Sequence, residues 1–214
     1  MNITLKILEN DKQINQLIFN ELSQQISQVF SKSSKLILNK VKELIRSVII
    51  SQPEYSALKN GSLRLELGIP DTTVVDSIVS SLLNTTNIEL KPIKISGNKL
   101  SGGFLITFLD DAQLQSIIDS PDGMVNDAKG YSLPWLKWLL SEGVKPIVKG
   151  YSVRIGPNRA SRTGMAIMVN SASSWSVPAQ FAGNKTNNWI TRAIGDIEDN
   201  RISSIIQEEV TKNL

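Results

Sequence analysis

The first quarter of the chain carries apolar residues at the three- and four-residue spacing of an amphipathic helix. The pattern covers residues 11–51 and comprises Ile14, Leu17, Ile18, Leu22, Ile26, Val29, Phe30, Leu36, Ile37, Val41, Leu44, Ile45 and Val48. Asn10 or Asp11 is suited to cap this helix, and Pro53 ends it, because the residue before a proline is pushed out of the α region. The polar stretch 31–35 predicts a kink or a break.

The predicted helix is long for a chain of this size. At about 1.5 Å per residue it would span on the order of 60 Å, which is more than a compact domain of this size usually buries. We therefore expect part of the apolar stripe to pack on another chain.

Alternating apolar and polar positions take over in the middle of the chain. Residues 87–95 alternate, and residues 104–109 return as a more buried strand after a glycine-rich turn, which is typical of a β-hairpin. The remaining predicted elements are helices at 71–83, 110–119, 134–143 and 187–210, and strands at 144–156 and 163–169.

This order of elements favours an α+β fold. We expect a long N-terminal helix and a C-terminal helix to pack on a small, mainly antiparallel β-sheet. The chain is predicted to form a single domain over residues 1–214. Its parts are the N-terminal helix (1–52), a β-rich core with insertions (87–170), and an arm with the C-terminal helix (171–214).

Composition narrows the chemistry of which the chain is capable. It has no cysteine and no histidine, which excludes disulfides, thiolate catalysis, zinc sites built on these residues and a Ser-His-Asp triad. No apolar run approaches the roughly 20 residues that span a bilayer, and the N-terminus lacks a signal-peptide pattern. For an enzyme, carboxylate, lysine, tyrosine or Ser/Lys chemistry stays possible. We expect no cofactor, no metal ion and no contact with a membrane.

Five aspartates are close together in the sequence and leave one enzymatic alternative open. A carboxylate-dependent enzyme or a cation site would draw on Asp110, Asp111, Asp119, Asp122 and Asp127. The spacing of a calcium-binding loop is not met. Helix capping by Asp110 and a turn over 120–123 account for the same residues, and we favour this structural interpretation.

Charge is distributed unevenly along the chain. The segment Gly143–Gly195 has seven basic residues and no acidic one, so with a net charge of +3 for the whole chain the remainder carries −4. Such a segment is expected to face a negative partner, either a protein surface or nucleic acid. The candidate contacts to phosphate or to an acidic partner are Lys149, Arg154, Arg159 and Arg162. Basic residues that protect strand edges from unwanted pairing are the commonplace alternative.

Large aromatic residues are few, yet three of them lie in a stretch otherwise composed like a loop, "WSVPAQFAGNKTNNWITRAI". Burial in the chain's own core is one interpretation of these aromatics. The other follows from the family resemblance given below, which implies an arm whose aromatics anchor it in pockets of a neighbouring subunit, as interface hot spots do. For Trp189, and for the pair in "PWLKWLL", the core interpretation is favoured. The candidate interface residues are Trp175, Phe181, Trp189, Trp135 and Trp138.

The order of elements, together with two short motifs, resembles the head–tail joining proteins of tailed bacteriophages, known as neck or tail-completion proteins. The first motif is Pro53, Gly61, Leu63 and Arg64 in "PEYSALKNGSLRLELGI". The second is Pro178 and Phe181, ahead of the closing helix. In this chain the gaps within both motifs are longer than the usual ones.

The resemblance implies a virion structural protein that is not an enzyme and has no catalytic residue. It would form a ring at the head–tail junction and be assembled in the host cytoplasm. Such a ring would bridge the capsid connector and the tail, and would line or seal the DNA channel. The implied partners are further copies of the chain, the neighbouring portal or connector and tail proteins, and DNA through non-specific contact. A basic nucleic-acid-binding accessory protein is the alternative function.

Overall fold

The computed structural model describes residues 10–126 and 130–214 and has the predicted α+β fold. The helices are α1 (Asp11–Ser51), α2 (Pro53–Lys59), α3 (Ser62–Glu66), α4 (Thr73–Asn84), α5 (Asp111–Ile118), α6 (Trp135–Ser141), α7 (Trp189–Gly195) and α8 (Asp199–Thr211). The strands are β1 (Asn87–Ser96), β2 (Lys99–Thr107), β3 (Val125–Asn126), β4 (Ser132–Leu133), β5 (Val148–Ile155) and β6 (Ala166–Trp175). In this part of the chain the strands form three separate antiparallel pairs, β1–β2, β3–β4 and β5–β6, and not one sheet.

The chain divides into two compact units. Of the described residues, unit 1 comprises those up to Val41 together with Asn87–Thr107 and Asn200–Leu214, and unit 2 comprises those in the ranges Lys42–Thr86 and Phe108–Asp199. The β-rich core predicted over 87–170 therefore contributes β1 and β2 to unit 1 and the other strands to unit 2. The single domain over 1–214 stays a prediction, because compactness alone does not measure whether a unit folds independently.

Helix α1 has the predicted bounds. Asn10 caps it: the Gln13 amide donates to Asn10 Oδ1 at 2.9 Å, and the Asn10 amide donates to Gln13 Oε1 at 2.9 Å. The helix continues without a break through residues 31–35, contrary to the expectation of a break there. No helix in the described ranges is both long and apolar enough to cross a bilayer.

In unit 1 the polar stretch of α1 is where α8 packs. The Ser33 side chain is buried, and its hydroxyl donates to the Glu209 carbonyl at 3.0 Å. Lys40 Nζ and Lys212 Nζ lie 2.7 and 3.0 Å from Glu209 Oε1. Hydrogen bonds from these two ammonium groups lower the pKa of the Glu209 carboxyl, and the bond from Lys40 has the larger effect. Ser33 in this stretch therefore contributes to helix packing, and the stretch does not interrupt the helix.

Unit 2 has a core of helices. It consists of buried residues from the C-terminal part of α1 and from α2, α4, α6 and α7, including Ile49, Leu58, Ile78, Val79, Leu82, Leu136, Leu139 and Ile190. Two helices, α2 and α3, were not among the elements predicted from the sequence. The closing helix predicted over 187–210 is two helices, α7 and α8, with a break at residues 196–198.

A close approach of two backbone segments holds the loop before α7 against α6. Glu142 and Asn184 form an isolated antiparallel bridge. A Cβ built on Gly183 would lie 2.6 Å from the Leu139 carbonyl oxygen and 2.7 Å from Asn188 Cβ. Only glycine allows this contact without a shift of the backbone.

We expect Gly183→Ala to lower the free energy of unfolding by about 1–3 kcal/mol, the usual cost of forcing an extra carbon into a packed site. Gly195→Ala is the matched control, because no atom lies within 4 Å of the added Cβ at the last residue of α7. It should be neutral or stabilising by up to about 1 kcal/mol. Urea unfolding followed by circular dichroism measures both, and equal stability of the two variants would contradict the packing argument.

Candidate functional site

The five aromatic residues predicted as interface candidates lie mainly in the core of unit 2. Trp189 and Trp135 are fully buried. The Trp189 indole Nε1 donates to the Ile49 carbonyl at 3.1 Å, and the Trp135 indole Nε1 donates to the Asp122 carbonyl at 2.8 Å. Both side chains are satisfied within the chain, so the core interpretation replaces the interface one for them.

Trp175 and Phe181 are also buried, with 6 and 8% of their surfaces exposed. The Trp175 indole Nε1 donates to Glu66 Oε2 at 3.2 Å, and its ring meets the half-buried Trp138 edge-on at a centroid distance of 5.9 Å. Trp175 is the last residue of β6, and Val177 behind it is buried. The predicted arm over 171–214 therefore begins inside β6 and is packed there. Trp175 and Phe181 are buried within the chain and are not exposed anchors.

Three of the five aspartates have structural roles, and Asp111 lies in the first turn of α5. Asp110 caps α5: its side chain accepts from the Gln113 amide at 2.7 Å, as the sequence predicted. Asp119 accepts from Gln115 Nε2 at 2.8 Å, and Asp122 accepts from the Ser77 hydroxyl. Asp127 lies outside the described residues. Within residues 10–126 and 130–214, no group of three or more carboxylates is placed to hold a metal ion.

The N-terminal part of α1 leaves apolar side chains uncovered in unit 1. Leu17, Ile18 and Leu22 expose 61, 51 and 41% of their surfaces, and Leu36 exposes 49%. Ile18 and Leu22 are four residues apart and so lie on one helix face. We call Leu17, Ile18 and Leu22 the α1 patch.

The predicted basic contacts lie on the hairpin β5–β6, which with its connecting loop spans residues 148–175. Lys149 and Arg154 are on β5, opposite Ser174 and Ile167, and Arg159 and Arg162 are in the loop. All four side chains are exposed. Among the described residues, no carboxylate lies within salt-bridge distance of any of them, whereas Arg192, in the same acid-free segment, pairs with Glu54. We call these four residues the basic hairpin cluster.

A cleft of about 350 Å³ separates the hairpin from the end of α3. Its walls are largely apolar and include Leu65, Trp138, Val153 and Met168. Arg162 lies at this cleft, and its Nη1 would be 3.1 Å from a Cβ on Gly68. Gly68 has no Cβ, which leaves room for the guanidinium, and its left-handed backbone, at φ +70°, is a second reason for glycine at this position.

Sequence patterns did not reveal the pairing of Glu54 with Arg192. Glu54 is on α2 and 1% exposed, and its Oε1 contacts Nη2 of Arg192 on α7. Its other carboxylate oxygen, Oε2, is buried without a hydrogen bond in the described structure. The two residues are far apart in sequence, so no local spacing could have pointed to them.

No protein family matches the chain, and no curated protein or solved structure is significantly similar to it. The likeness to phage head–tail joining proteins therefore depends on the order of elements and on two short motifs alone.

Proposed function

We propose that this chain is a non-enzymatic structural protein that assembles with copies of itself into a ring at the head–tail junction of a tailed phage. The observation that carries the self-assembly is the α1 patch. Fully burying one such aliphatic side chain contributes about 1.5–3 kcal/mol, so several kcal/mol are gained when a neighbouring copy covers the three residues. Repetition around a closed ring multiplies these modest contacts.

The assignment to a tailed phage depends on the two sequence motifs, and the residues of both motifs have structural roles in unit 2. Pro53 begins α2, and a Cβ on Gly61 would lie 2.8 Å from Ala57 Cα, so glycine allows the tight turn between α2 and α3. Leu63 is fully buried in α3. The Pro178 carbonyl accepts from the Phe181 amide at 2.8 Å, which closes a turn after β6. The motifs thus fix two turns of unit 2.

In this proposal the ring joins the portal or connector to the tail proteins, and its place is the assembled virion. The proposed work is mechanical, and the roles of Asp110, Asp119 and Asp122 in capping and in hydrogen bonds within the chain support it. Head–tail joining requires a durable contact to two different rings, which surfaces repeated by symmetry can supply.

Self-assembly is tested with the double variant Ile18→Glu, Leu22→Glu, which places two charges on the α1 patch. The wild-type chain is expected to sediment as an oligomer and to form rings in electron micrographs, and the double variant is expected to sediment as a monomer. The matched control is Val144→Glu, Ile155→Glu, which alters two residues of unit 2 that are 67 and 52% exposed. The control should still assemble. A wild-type chain that stays monomeric at every concentration would refute self-assembly.

The location is tested in the phage that encodes the chain. A nonsense mutation in this gene should yield DNA-filled heads and free tails that fail to join, as seen by electron microscopy. Complete infectious particles lacking the chain would refute the head–tail assignment while leaving self-assembly intact.

A further inference from the structure

We propose that the basic hairpin cluster binds the phosphate backbone of duplex DNA. The inference does not depend on the proposed ring, because it concerns a surface of unit 2 that each chain carries by itself.

The first argument is the lack of internal neutralisation. Some cations of the described structure, such as Lys40, Lys59 and Arg192, have a carboxylate within 4 Å, and others, such as Lys32 and Lys94, have none. The four cations of the hairpin also have none among the described residues, and they differ from the other unpaired cations because they lie together in a segment, Gly143 to Gly195, that has no acidic residue in the sequence. Exposed charges of one sign that are not compensated produce a positive potential that attracts polyanions.

The second argument is the shape of the element. A two-stranded antiparallel ribbon is narrow enough to enter the major groove of a DNA duplex. At about 3.3 Å per residue, Lys149 and Arg154 are about 17 Å apart along β5. That distance corresponds to about five base-pair steps of 3.4 Å, so the cluster matches a run of phosphates and not a single anion.

The loop that carries Arg159 and Arg162 is held by its own hydrogen bonds. The Asn158 amide donates to the Gly164 carbonyl at 2.9 Å, and Asn158 Oδ1 accepts from the Ala160 amide at 2.8 Å. The two arginines are therefore presented from a defined loop. Arginine is well suited to this role, because its planar guanidinium can donate two parallel hydrogen bonds to one phosphate.

The polar residues beside the cluster are of the kind that contacts a sugar-phosphate backbone. Ser173 and Ser174 are exposed on β6, and Ser174 is opposite Lys149 in the strand register. Serine hydroxyls are frequent donors to phosphate oxygens. Tyr151 is the only exposed aromatic residue between 148 and 175. Single-stranded nucleic acids are usually held by several stacking aromatics, so the duplex is the better match.

The test compares two variants with the same loss of charge. The hairpin variant combines Lys149→Gln, Arg154→Gln, Arg159→Gln and Arg162→Gln. The control variant combines Lys32→Gln, Lys35→Gln, Lys94→Gln and Lys99→Gln, four exposed lysines of unit 1 that form no salt bridge within the described structure. Circular dichroism and thermal unfolding establish that both variants are folded. Fluorescence anisotropy then measures binding to a labelled 30-base-pair duplex between 50 and 200 mM NaCl.

If three to four phosphates are contacted, affinity of the wild-type chain should fall roughly 40- to 150-fold over this range, following a slope of about −0.9 per contact. The hairpin variant should lose most of the affinity and of the salt slope, and the control variant should keep both. Four outcomes would overturn the proposal: absent binding, binding insensitive to salt, equal loss in the two variants, or tighter binding to a single strand. If duplex binding is absent and the chain binds polyaspartate, the surface is assigned to an acidic protein partner.

Discussion

Trp189→Ala is expected to lower the free energy of unfolding by about 3–5 kcal/mol, the range for removing a large aromatic side chain from a packed core. The Trp189 side chain is fully buried against Ile49 and Tyr55, with its ring 6.5 Å from that of Tyr55. The substitution leaves a cavity and also removes the indole donor to the Ile49 carbonyl near the end of α1. Urea unfolding followed by circular dichroism measures the loss.

Trp189→Phe separates these two contributions. It keeps most of the apolar volume but leaves the Ile49 carbonyl with only the longer hydrogen bond from the Gln52 amide, at 3.4 Å, and the lost indole bond costs about 0.5–1.5 kcal/mol. Tyr151→Ala is the matched control for removal of an aromatic ring, because Tyr151 is 40% exposed on the hairpin. A loss below about 1 kcal/mol for Trp189→Ala would mean that the residue is not part of a close-packed core.

The second large effect is expected at Arg192. Arg192→Ala removes the countercharge of the buried Glu54 carboxylate, and breaking a buried ion pair costs about 3–5 kcal/mol. We expect the lower end of this range, because one third of the Arg192 side chain is exposed and water can reach that side of the pair. The free energy of unfolding at pH 7 is the quantity to measure.

A double variant distinguishes the uncompensated charge from the loss of packing. Glu54→Gln combined with Arg192→Met removes both charges and keeps similar volumes, so it should be more stable than Arg192→Ala. If the two variants are equally unstable, the carboxylate is not the cause of the loss. The four free energies of a cycle with Glu54→Gln and Arg192→Met give the coupling between the pair.

The parts of the fold that the sequence predicted well are those specified by local patterns. Helical spacing and Pro53 set the bounds of α1, and the Asp110 cap follows from residue type and position. The two long hairpins were located because alternating strands flank glycine-containing turns. These signals act over a few residues and need no knowledge of the remaining chain.

The errors arose where local patterns are weak or where burial depends on distant contacts. The stretch "NSASSW" consists of small polar residues before its tryptophan, so β6 was expected to end at 169 although it extends to Trp175. The burial of Trp175 depends on Glu66 and Trp138, which no spacing in the sequence connects to it. The basic hairpin cluster, by contrast, was visible from charge alone. Its lack of partners among the described residues required coordinates.

The loop that precedes α7 has a consequence for recognition. Asn184 Oδ1 accepts from the backbone amides of Thr186 and Asn187 and from the Thr186 hydroxyl, and Asn188 caps α7. A segment rich in Asn and Thr is thereby fixed by its own side chains before any partner arrives. A surface that is ordered before binding loses little conformational entropy on association. A molecule that contacts the exposed Lys185 on this loop would therefore bind more tightly than it would bind a loop of the same sequence that has to become ordered on binding.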